Sequence, residues 1–234
     1  MLPLAERLRP KTLNEYIGQK HLVGEGAILR QMIERGNLSS FILWGPPGVG
    51  KTTLARIIAH QLERPFYTLS AVTSGVKEVR EVIEKAKRYA AMNSGLFGSQ
   101  ESEFGTQSTD SRRAILFIDE IHRFSKSQQD SLLGAVEEGT ITLIGATTEN
   151  PSFEVITPLL SRCQVYVLKH LEKADLLELL DRALTKDEHL RSLNIELRET
   201  ESMLRYSGGD ARKLLNIIEL VTNAAVMVCV SQSS

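Results

Sequence analysis

The sequence predicts an α/β protein with a five-stranded parallel sheet and a small C-terminal helical domain. Five short apolar segments alternate with helical patterns in the first part of the chain, as in βαβ units, whose strands run parallel. After residue 169 only helical periodicity remains. We therefore expect an α/β domain over residues 1–169 and a helical domain over residues 170–234. The five predicted strands cover residues 41–44, 65–70, 115–120, 141–146 and 165–168.

The composition excludes several classes of protein, among them membrane-spanning and strongly basic proteins. The chain has 234 residues, 42% of them hydrophobic, which suits one large domain and a small one. Its net charge of −1 lacks the basic excess typical of proteins that bind nucleic acid by themselves. Cys163 and Cys229 match no metal spacing. No apolar run approaches the roughly 18 residues of a membrane helix, and the N-terminus has no signal-peptide pattern. We expect a cytoplasmic protein without membrane contact.

The strand predicted at residues 41–44 leads into a phosphate-binding motif. The segment Gly45-Pro46-Pro47-Gly48-Val49-Gly50-Lys51-Thr52 fits G-x-x-x-x-G-K-[ST] at every fixed position, and a helical pattern follows directly. Glycines let backbone N–H groups curl around an anion, and the helix N-terminus adds partial positive charge. Lys51 is expected to reach the β- and γ-phosphates of ATP, and the Thr52 hydroxyl to bind Mg²⁺.

A second motif follows the third predicted strand. The apolar run at residues 115–118 ends in Asp119 and Glu120, which is the Walker B pattern of phosphate-loop enzymes. Asp119 is expected to hold the Mg²⁺ shell through water. Glu120 is expected to orient and polarise the attacking water as a catalytic base. Two carboxylates could also begin a solvated loop, but their combination with the phosphate loop favours the catalytic interpretation.

Two single residues carry weaker signals. Thr148 follows the fourth predicted strand, where a hydroxyl would point at the γ-phosphate. Arg212 lies in the first turn of the last predicted helix, after the N-cap residue Asp210. Because an arginine there opposes the helix dipole, its position indicates a functional role.

Residues 92–113 interrupt the alternation of strands and helices. They are rich in Gly, Ser, Gln and Thr, so we expect an exposed insertion loop. Phe97 and Phe104 are unusual in a linker and leave contact with a partner open.

Together these residues resemble an AAA+ ATPase. The resemblance rests on the phosphate loop, the Asp-Glu pair and the strand-end threonine. Two further motifs support it: Ser161-Arg162-Cys163, which is the clamp-loader form of an arginine finger, and Gly208–Arg212 in the helical domain. Within the AAA+ proteins, three stretches resemble the RarA/MgsA family, relatives of the eukaryotic Werner-helicase-interacting protein. These stretches are residues 8–19, 119–130 and 145–153.

The resemblance implies further site residues. Thr148 looks like sensor 1, and Arg212 looks like sensor 2, which closes the lid onto nucleotide. Arg162 looks like a finger that acts in trans on the γ-phosphate of a neighbouring subunit, a contribution of roughly 10³–10⁵ in rate in related enzymes. The implied catalytic residues are Lys51, Glu120, Thr148, Arg162 and Arg212. The implied nucleotide-binding residues are Gly45, Pro46, Pro47, Gly48, Val49, Gly50, Lys51, Thr52, Thr53 and Arg212, with Arg9, Pro10, Ile17 and Gly18 on the adenine side.

The resemblance also implies a function. We expect a Mg²⁺-dependent ATPase that remodels replication or recombination DNA at stalled forks, gaps or ends, as a homo-oligomer associated with the bacterial nucleoid. Proteins of this family contact single-stranded-DNA-binding protein and carry a C-terminal oligomerisation domain. The chain ends at Ser234, so we expect that domain to be absent. The near-neutral charge suggests that DNA contact needs an assembled ring.

Three alternatives remain open. A Holliday-junction branch-migration motor of the RuvB type shares the N-terminal arm and much of the ATP site, although its winged-helix domain is missing and residues 149–153 favour the RarA family. A small-molecule kinase could use the same phosphate loop but needs neither Glu120 nor a finger in trans. A nucleotide-gated binding module would bind ATP and partners with little turnover.

Overall fold

The computed structural model confirms the predicted α/β architecture. The structure describes residues 2–95, 113–193 and 195–232. Within these residues, five strands form one sheet in which every neighbouring pair runs parallel. The strands are β1 (Phe41–Trp44), β2 (Phe66–Ser70), β3 (Ala114–Asp119), β4 (Ile141–Thr147) and β5 (Gln164–Val167). Their order across the sheet is β2-β3-β4-β1-β5.

Helices cover the sheet and form the C-terminal part, where the described residues after 169 contain helices only, as predicted. The helices are α1 (Leu4–Arg7), α2 (Lys20–Val23), α3 (Ile28–Glu34), α4 (Lys51–Gln61), α5 (Val76–Gly95), α6 (Lys126–Glu137), α7 (Pro151–Glu154), α8 (Thr157–Leu160), α9 (Lys173–Lys186), α10 (Glu188–Ser192), α11 (Glu201–Ser207) and α12 (Ala211–Gln232). The shortest helices were not predicted, because one turn shows no periodicity. None of the helices described is both long and apolar enough to cross a membrane.

The strand order brings three functional segments to one edge of the sheet. β1 pairs with β4 so that Trp44 lies opposite Thr147, and β3 pairs with β4 so that Ile118 lies opposite Gly145. Parallel strands end at the same edge, which is where α/β proteins place their sites. The phosphate loop after β1, the Asp-Glu pair at the end of β3 and the threonines at the end of β4 therefore lie side by side.

Two apolar clusters hold the helices on opposite faces of this sheet. Successive strand residues point to opposite faces. Phe41 and Leu43 of β1 pack with the buried residues of α3 and α4, whereas Ile42 packs with those of α5 and α6. The segment between β1 and α4 is thus anchored at both of its ends by buried side chains.

A third apolar cluster joins the N-terminal and C-terminal parts of the chain. We call residues 2–19 the arm and the described residues from 170 to 232 the lid. Leu4 of the arm is fully buried in the lid cluster, which also contacts Leu8 and Ile17. Leu13 and Tyr16 of the same arm pack into the α/β core instead. The arm therefore connects the two parts, and the division of the chain between residues 169 and 170 stays a prediction.

The predicted insertion loop needs one correction. We expected it to begin at residue 92, but α5 continues to Gly95. The segment Tyr89-Ala90-Ala91-Met92 consists largely of good helix formers and extends the helix. Residues 96–112 lie outside the described residues, and so do Phe97 and Phe104.

Candidate active site

The loop between β1 and α4 has the backbone that its glycines predict. Gly48 and Gly50 adopt φ angles of +70° and +96°, in the left-handed region that favours glycine. A Cβ atom on Gly50 would lie 2.7 Å from the hydroxyl oxygen of Tyr16, so this position also has no room for a side chain. α4 begins directly afterwards at Lys51, which places its N-terminal N–H groups at the loop.

The side chain of Lys51 lies inside this loop. Lys51 is 8% exposed, and its Nζ donates to the carbonyl oxygens of Gly45 at 2.7 Å and Pro46 at 2.8 Å. Burial lowers the pKa of Lys51, while the nearby carboxylates of Glu120 and Asp119 act in the opposite direction. Since an ammonium group has three donors, one remains for a further acceptor such as a phosphate oxygen.

Two carboxylates lie at the end of β3. Asp119 is the last residue of the strand, and Glu120 follows it with a φ angle of +54°, which is uncommon for a residue other than glycine. Both line the same cleft as Thr52. A threonine hydroxyl and a carboxylate are hard oxygen donors of the kind that Mg²⁺ prefers, so Thr52 and Asp119 fit the predicted metal.

The cleft has a volume of about 530 Å³ and is lined mainly by three parts of the chain. The phosphate loop forms one wall, the arm a second and the lid a third. Apolar side chains dominate where the arm faces the lid. These residues are Leu8, Pro10, Ile17, Leu171, Leu179, Ala211 and Leu215. An apolar slot next to an anion-binding loop suits a nucleotide, whose base is flat and whose phosphates are charged.

The lid docks directly on the phosphate loop. Asp210 caps α12 by accepting a hydrogen bond from the N–H of Lys213 at 2.9 Å, as predicted. The N–H of Ala211 donates to the carbonyl oxygen of Gly48 at 3.2 Å, and a Cβ atom on Gly48 would overlap the Asp210 carboxylate. This contact places the exposed Arg212 in the wall of the cleft.

The arm is tied to both other walls. Arg9 donates through Nε to Glu6 at 3.1 Å and through Nη1 to the Thr53 hydroxyl at 3.4 Å. The Arg9 guanidinium lowers the pKa of Glu6. Gly18 lies so close to Leu171 that a Cβ atom would meet its side chain at 2.5 Å. Arg9 and Gly18 thus connect the arm to the phosphate loop and to the lid.

Arg162 lies away from this cleft. It precedes β5, at the edge where the strands begin, and borders a separate cavity of about 370 Å³. Its Nη2 pairs with Glu137 at 2.6 Å, and its Nη1 donates to the carbonyl oxygen of Pro158 at 2.7 Å. Its side chain is 41% exposed. Since it does not border its own cleft, its predicted action on a neighbouring subunit stays a prediction.

The structure places the sequence-predicted residues in two groups. Those that line the cleft are Arg9, Pro10, Ile17, Pro47, Gly48, Val49, Gly50, Lys51, Thr52, Thr53, Asp119, Glu120 and Arg212. Those outside its lining are Gly18, Gly45, Pro46, Thr148 and Arg162. Gly45 and Pro46 still contact Lys51 through their carbonyls, and the Thr148 hydroxyl lies 3.4 Å from Glu120 Oε2.

Sequence reasoning missed two residues of the arm. Tyr16 is buried and donates its hydroxyl to the carbonyl oxygen of Val49 at 3.1 Å, and burial raises the pKa of this tyrosine. Gln19 binds the residue that precedes the lid. Its Nε2 donates to the carbonyl of Lys169 at 2.7 Å, and its Oε1 accepts from the N–H of the same residue at 2.9 Å. Both contacts are long-range, so no local pattern could have indicated them.

Comparison with known proteins identifies relatives over nearly the whole chain. The family model described as ATPase family associated with various cellular activities (AAA) matches residues 41–171. Replication-associated recombination protein A of Coxiella burnetii is 46% identical over 96% of this chain and 47% of its own length. The protein of that name from Escherichia coli K12 is 46% identical over 95% of this chain and 46% of its own length. ATPase WRNIP1 of Dictyostelium discoideum is 43% identical over 95% of this chain and 24% of its own length.

These relatives confirm the resemblance to the RarA family. The chain spans about half the length of the bacterial relatives it matches, with 46% to 47% of each covered. Solved structures of Thermotoga maritima RuvB share the fold. One RuvB variant has a TM-score of 0.70 at 28% identity, over 94% of this chain and 67% of the other. The structure described as a RuvB Holliday junction branch migration motor has a TM-score of 0.67 at 29% identity, over the same shares.

Proposed function

The chain belongs to the AAA family of ATPases, and we propose that it hydrolyses ATP in order to remodel DNA during replication or recombination. One observation carries the proposal: Lys51, Glu120 and Arg212, which come from three distant parts of the chain, all line a single cleft. A cation at the phosphate loop, a residue that positions water and an arginine near the phosphates recur in enzymes that transfer a phosphoryl group to water.

Some residues of the cleft would bind the nucleotide, and others would act in the hydrolysis itself. Lys51 and the loop N–H groups hold the phosphates and balance the negative charge that develops on them. Mg²⁺, held by Thr52 and through water by Asp119, would neutralise further charge on the phosphate oxygens. Glu120 orients and polarises the attacking water, and Thr148 donates to that carboxylate. Arg212 closes the lid on the nucleotide, and the products are ADP and phosphate.

We propose that Arg162 completes the site of a neighbouring subunit. Its place at the opposite edge of the sheet from its own cleft supports action in trans, because a neighbour docked there would receive the guanidinium at its phosphates. Turnover then requires a homo-oligomer. The Glu137 pair holds this guanidinium at the surface of the single subunit, where it remains accessible.

The proposed substrate DNA rests on the relatives. The two bacterial relatives described above are named for replication-associated recombination, so we propose action at stalled forks, gaps or ends, in the cytoplasm at the nucleoid. Contact with single-stranded-DNA-binding protein belongs to the same proposal. With a net charge of −1, a single subunit has little general attraction for DNA, and binding is expected of the assembled ring.

The test is phosphate release by Glu120→Gln, measured per subunit across protein concentration with and without forked DNA. We expect the parent rate to rise with concentration and with DNA. The variant should lose at least about 100-fold in kcat, the low end of what a general base contributes, and keep its ATP affinity. Glu149→Gln is the matched control, because Glu149 is an exposed glutamate just beyond the end of β4. A Glu120→Gln variant with the parental rate would contradict the assigned base.

A second candidate function is branch migration of the RuvB type, which the shared fold favours at TM-scores of 0.67 to 0.70. DNA stimulation distinguishes the two. A rate that rises with four-way junctions but not with forked or gapped DNA supports the RuvB-type motor. The opposite preference supports action at forks and gaps.

A further inference from the structure

A histidine outside the predicted catalytic set lies beside Glu120. His122 belongs to the 3₁₀ turn Ile121–Arg123, which follows Glu120 directly. Its Nδ1 lies 3.1 Å from Glu120 Oε2 and 3.0 Å from the hydroxyl oxygen of Thr147. Thr147 is fully buried, and the His122 side chain is only 13% exposed. The ring is therefore held between the carboxylate and the end of β4.

The partners of Nδ1 decide which ring nitrogen carries a proton. The Thr147 hydroxyl donates its proton to the carbonyl oxygen of Glu149 at 3.2 Å and accepts from the N–H of Glu149 at 3.0 Å. With its own proton used, this hydroxyl can only accept from the ring. The Glu120 carboxylate likewise only accepts. A proton at Nδ1 satisfies both oxygens, since one N–H can be shared between them, whereas a bare Nδ1 would set its lone pair against the carboxylate.

Glu120 needs such a partner because little else fixes its side chain. Its backbone has a φ angle of +54°, a conformation that costs energy in a residue with a side chain. Its side chain is 31% exposed. The Thr148 hydroxyl approaches Oε2 at 3.4 Å, which is long for a bond between oxygens. The His122 contact is shorter, and it can be charge-assisted, because a carboxylate is the acceptor.

We propose that His122 is a positioning residue that holds the Glu120 carboxylate toward the attacking water through Nδ1–H. The same ring links that orientation to Thr147 at the end of β4. The inference rests on the proposed ATP hydrolysis, since it names the residue that orients the catalytic base. His122 acts through Glu120, which lines the cleft, whereas His122 itself does not.

Three substitutions of His122 test this role, because they keep the N–H donor at the place of Nδ1, move it outward or remove it. The amide nitrogen of asparagine is attached to Cγ, as Nδ1 is, whereas that of glutamine lies one atom further out, near the place of Nε2. We expect His122→Asn to keep kcat within about threefold, and His122→Gln and His122→Ala to lower it by about 10- to 100-fold, as for other residues that orient a catalytic group. ATP affinity should stay unchanged in all three, because the phosphate loop is not altered.

Two results of this series would overturn the proposal. If the asparagine and glutamine variants lost the same fraction of kcat, the donor at Nδ1 would not matter. If all three variants lost ATP affinity in proportion to their rate, His122 would serve the structure of the cleft rather than the base.

A second measurement does not depend on turnover. Long-range ¹H–¹⁵N spectra of the histidine rings report which nitrogen is protonated, and we expect His122 to carry its proton at Nδ1. A ring with a bare Nδ1 would overturn the proposal even if the parent is an active ATPase. If the parent releases no phosphate, the proposed hydrolysis fails by itself, and the ring spectrum still decides whether His122 donates to Glu120.

Discussion

The two sides of the cleft are built in different ways. The loop side consists of residues 45–53 with Asp119 and Glu120, and the arm–lid side consists of the apolar residues that the arm and the lid contribute. The loop side is formed mainly by one continuous segment, which runs from the end of β1 into the first turn of α4. The arm–lid side is formed by segments far apart in the chain, such as those that contribute Ile17 of the arm and Leu171 of the lid.

This difference has a physical origin. The loop side works through backbone geometry, since glycines and a helix N-terminus create the anion site locally. The arm–lid side works through apolar packing and a few ion pairs, whose partners are chosen only when the chain folds. Local substitutions should therefore damage binding at the loop side, whereas loss of a long-range contact should damage stability at the arm–lid side.

The largest effect is expected at the ion pair that joins arm and lid. Arg7 donates from Nε to Asp187 Oδ2 at 2.7 Å and from Nη2 to Oδ1 at 3.1 Å, and the Asp187 side chain is 4% exposed. Arg7→Met leaves this buried carboxylate without a cation, with the N–H of Leu190 still donating to Oδ1 at 3.1 Å. We expect the loss to cost about 3–5 kcal/mol in the free energy of unfolding. Lys173→Met is the control, because Lys173 and its partner Glu201 are exposed, and solvent screening leaves such a pair with little effect on stability. Urea unfolding measures both.

The same pair predicts a dependence on pH. The hydrogen bonds from Arg7 lower the pKa of Asp187. A lowered folded-state pKa means that the stabilisation is complete above the unfolded-state pKa of about 3.9 and is lost as pH falls through the folded-state value. The gap in unfolding free energy between parent and Arg7→Met should therefore shrink as pH falls below about 4. A gap that stayed constant would show that the stabilisation by Arg7 does not depend on an ionised Asp187.

An intermediate effect is expected at the glycine where the loop side meets the lid. In Gly48→Ala the new methyl group would overlap the Asp210 carboxylate. The backbone at residue 48 also has a φ angle of +70°, which is unfavourable for alanine. We expect ATP affinity to fall by about 100-fold, or about 2.7 kcal/mol, because the loop and the lid must both shift. Calorimetric titration with ATP measures this loss.

The matched control for this glycine is Gly26→Ala. Gly26 has a φ angle of +74°, and no atom lies within 4 Å of the position that its new methyl carbon would take. The variant should lose about 1 kcal/mol of stability and no ATP affinity. Equal ATP affinities of the Gly48 and Gly26 variants would contradict the role of the Gly48 contact.

The smallest effect is expected where the arm touches the loop. Tyr16→Phe removes the hydroxyl that donates to the carbonyl oxygen of Val49 and leaves that oxygen buried. We expect a loss of about 1 kcal/mol in the free energy of unfolding, typical of one buried hydrogen bond. Tyr206→Phe should change nothing measurable, because Tyr206 is 73% exposed. If the two variants unfolded at the same urea concentration, the arm would not support the loop through this bond.

The sequence by itself determined the parts of this protein that depend on neighbouring residues. The motif at Gly45–Thr52, the five strands and the Asp119-Glu120 pair were all predicted, because glycine conformation, short apolar runs and strand-end carboxylates are local properties. The N-cap at Asp210 belongs to the same group, since a capping side chain bonds only to its own first turn.

Only the tertiary structure decided which distant residues meet. Leu4 is buried with the lid while Tyr16, twelve positions later, supports the phosphate loop, and no periodicity separates the two roles. His122 stood inside a predicted motif, yet the contact of its ring with Thr147, 25 positions later, depends on the pairing of β3 with β4. A given side chain could contact many partners elsewhere in the chain, and packing and hydrogen-bond geometry in the folded protein select one of them. The order of residues alone therefore does not specify these contacts.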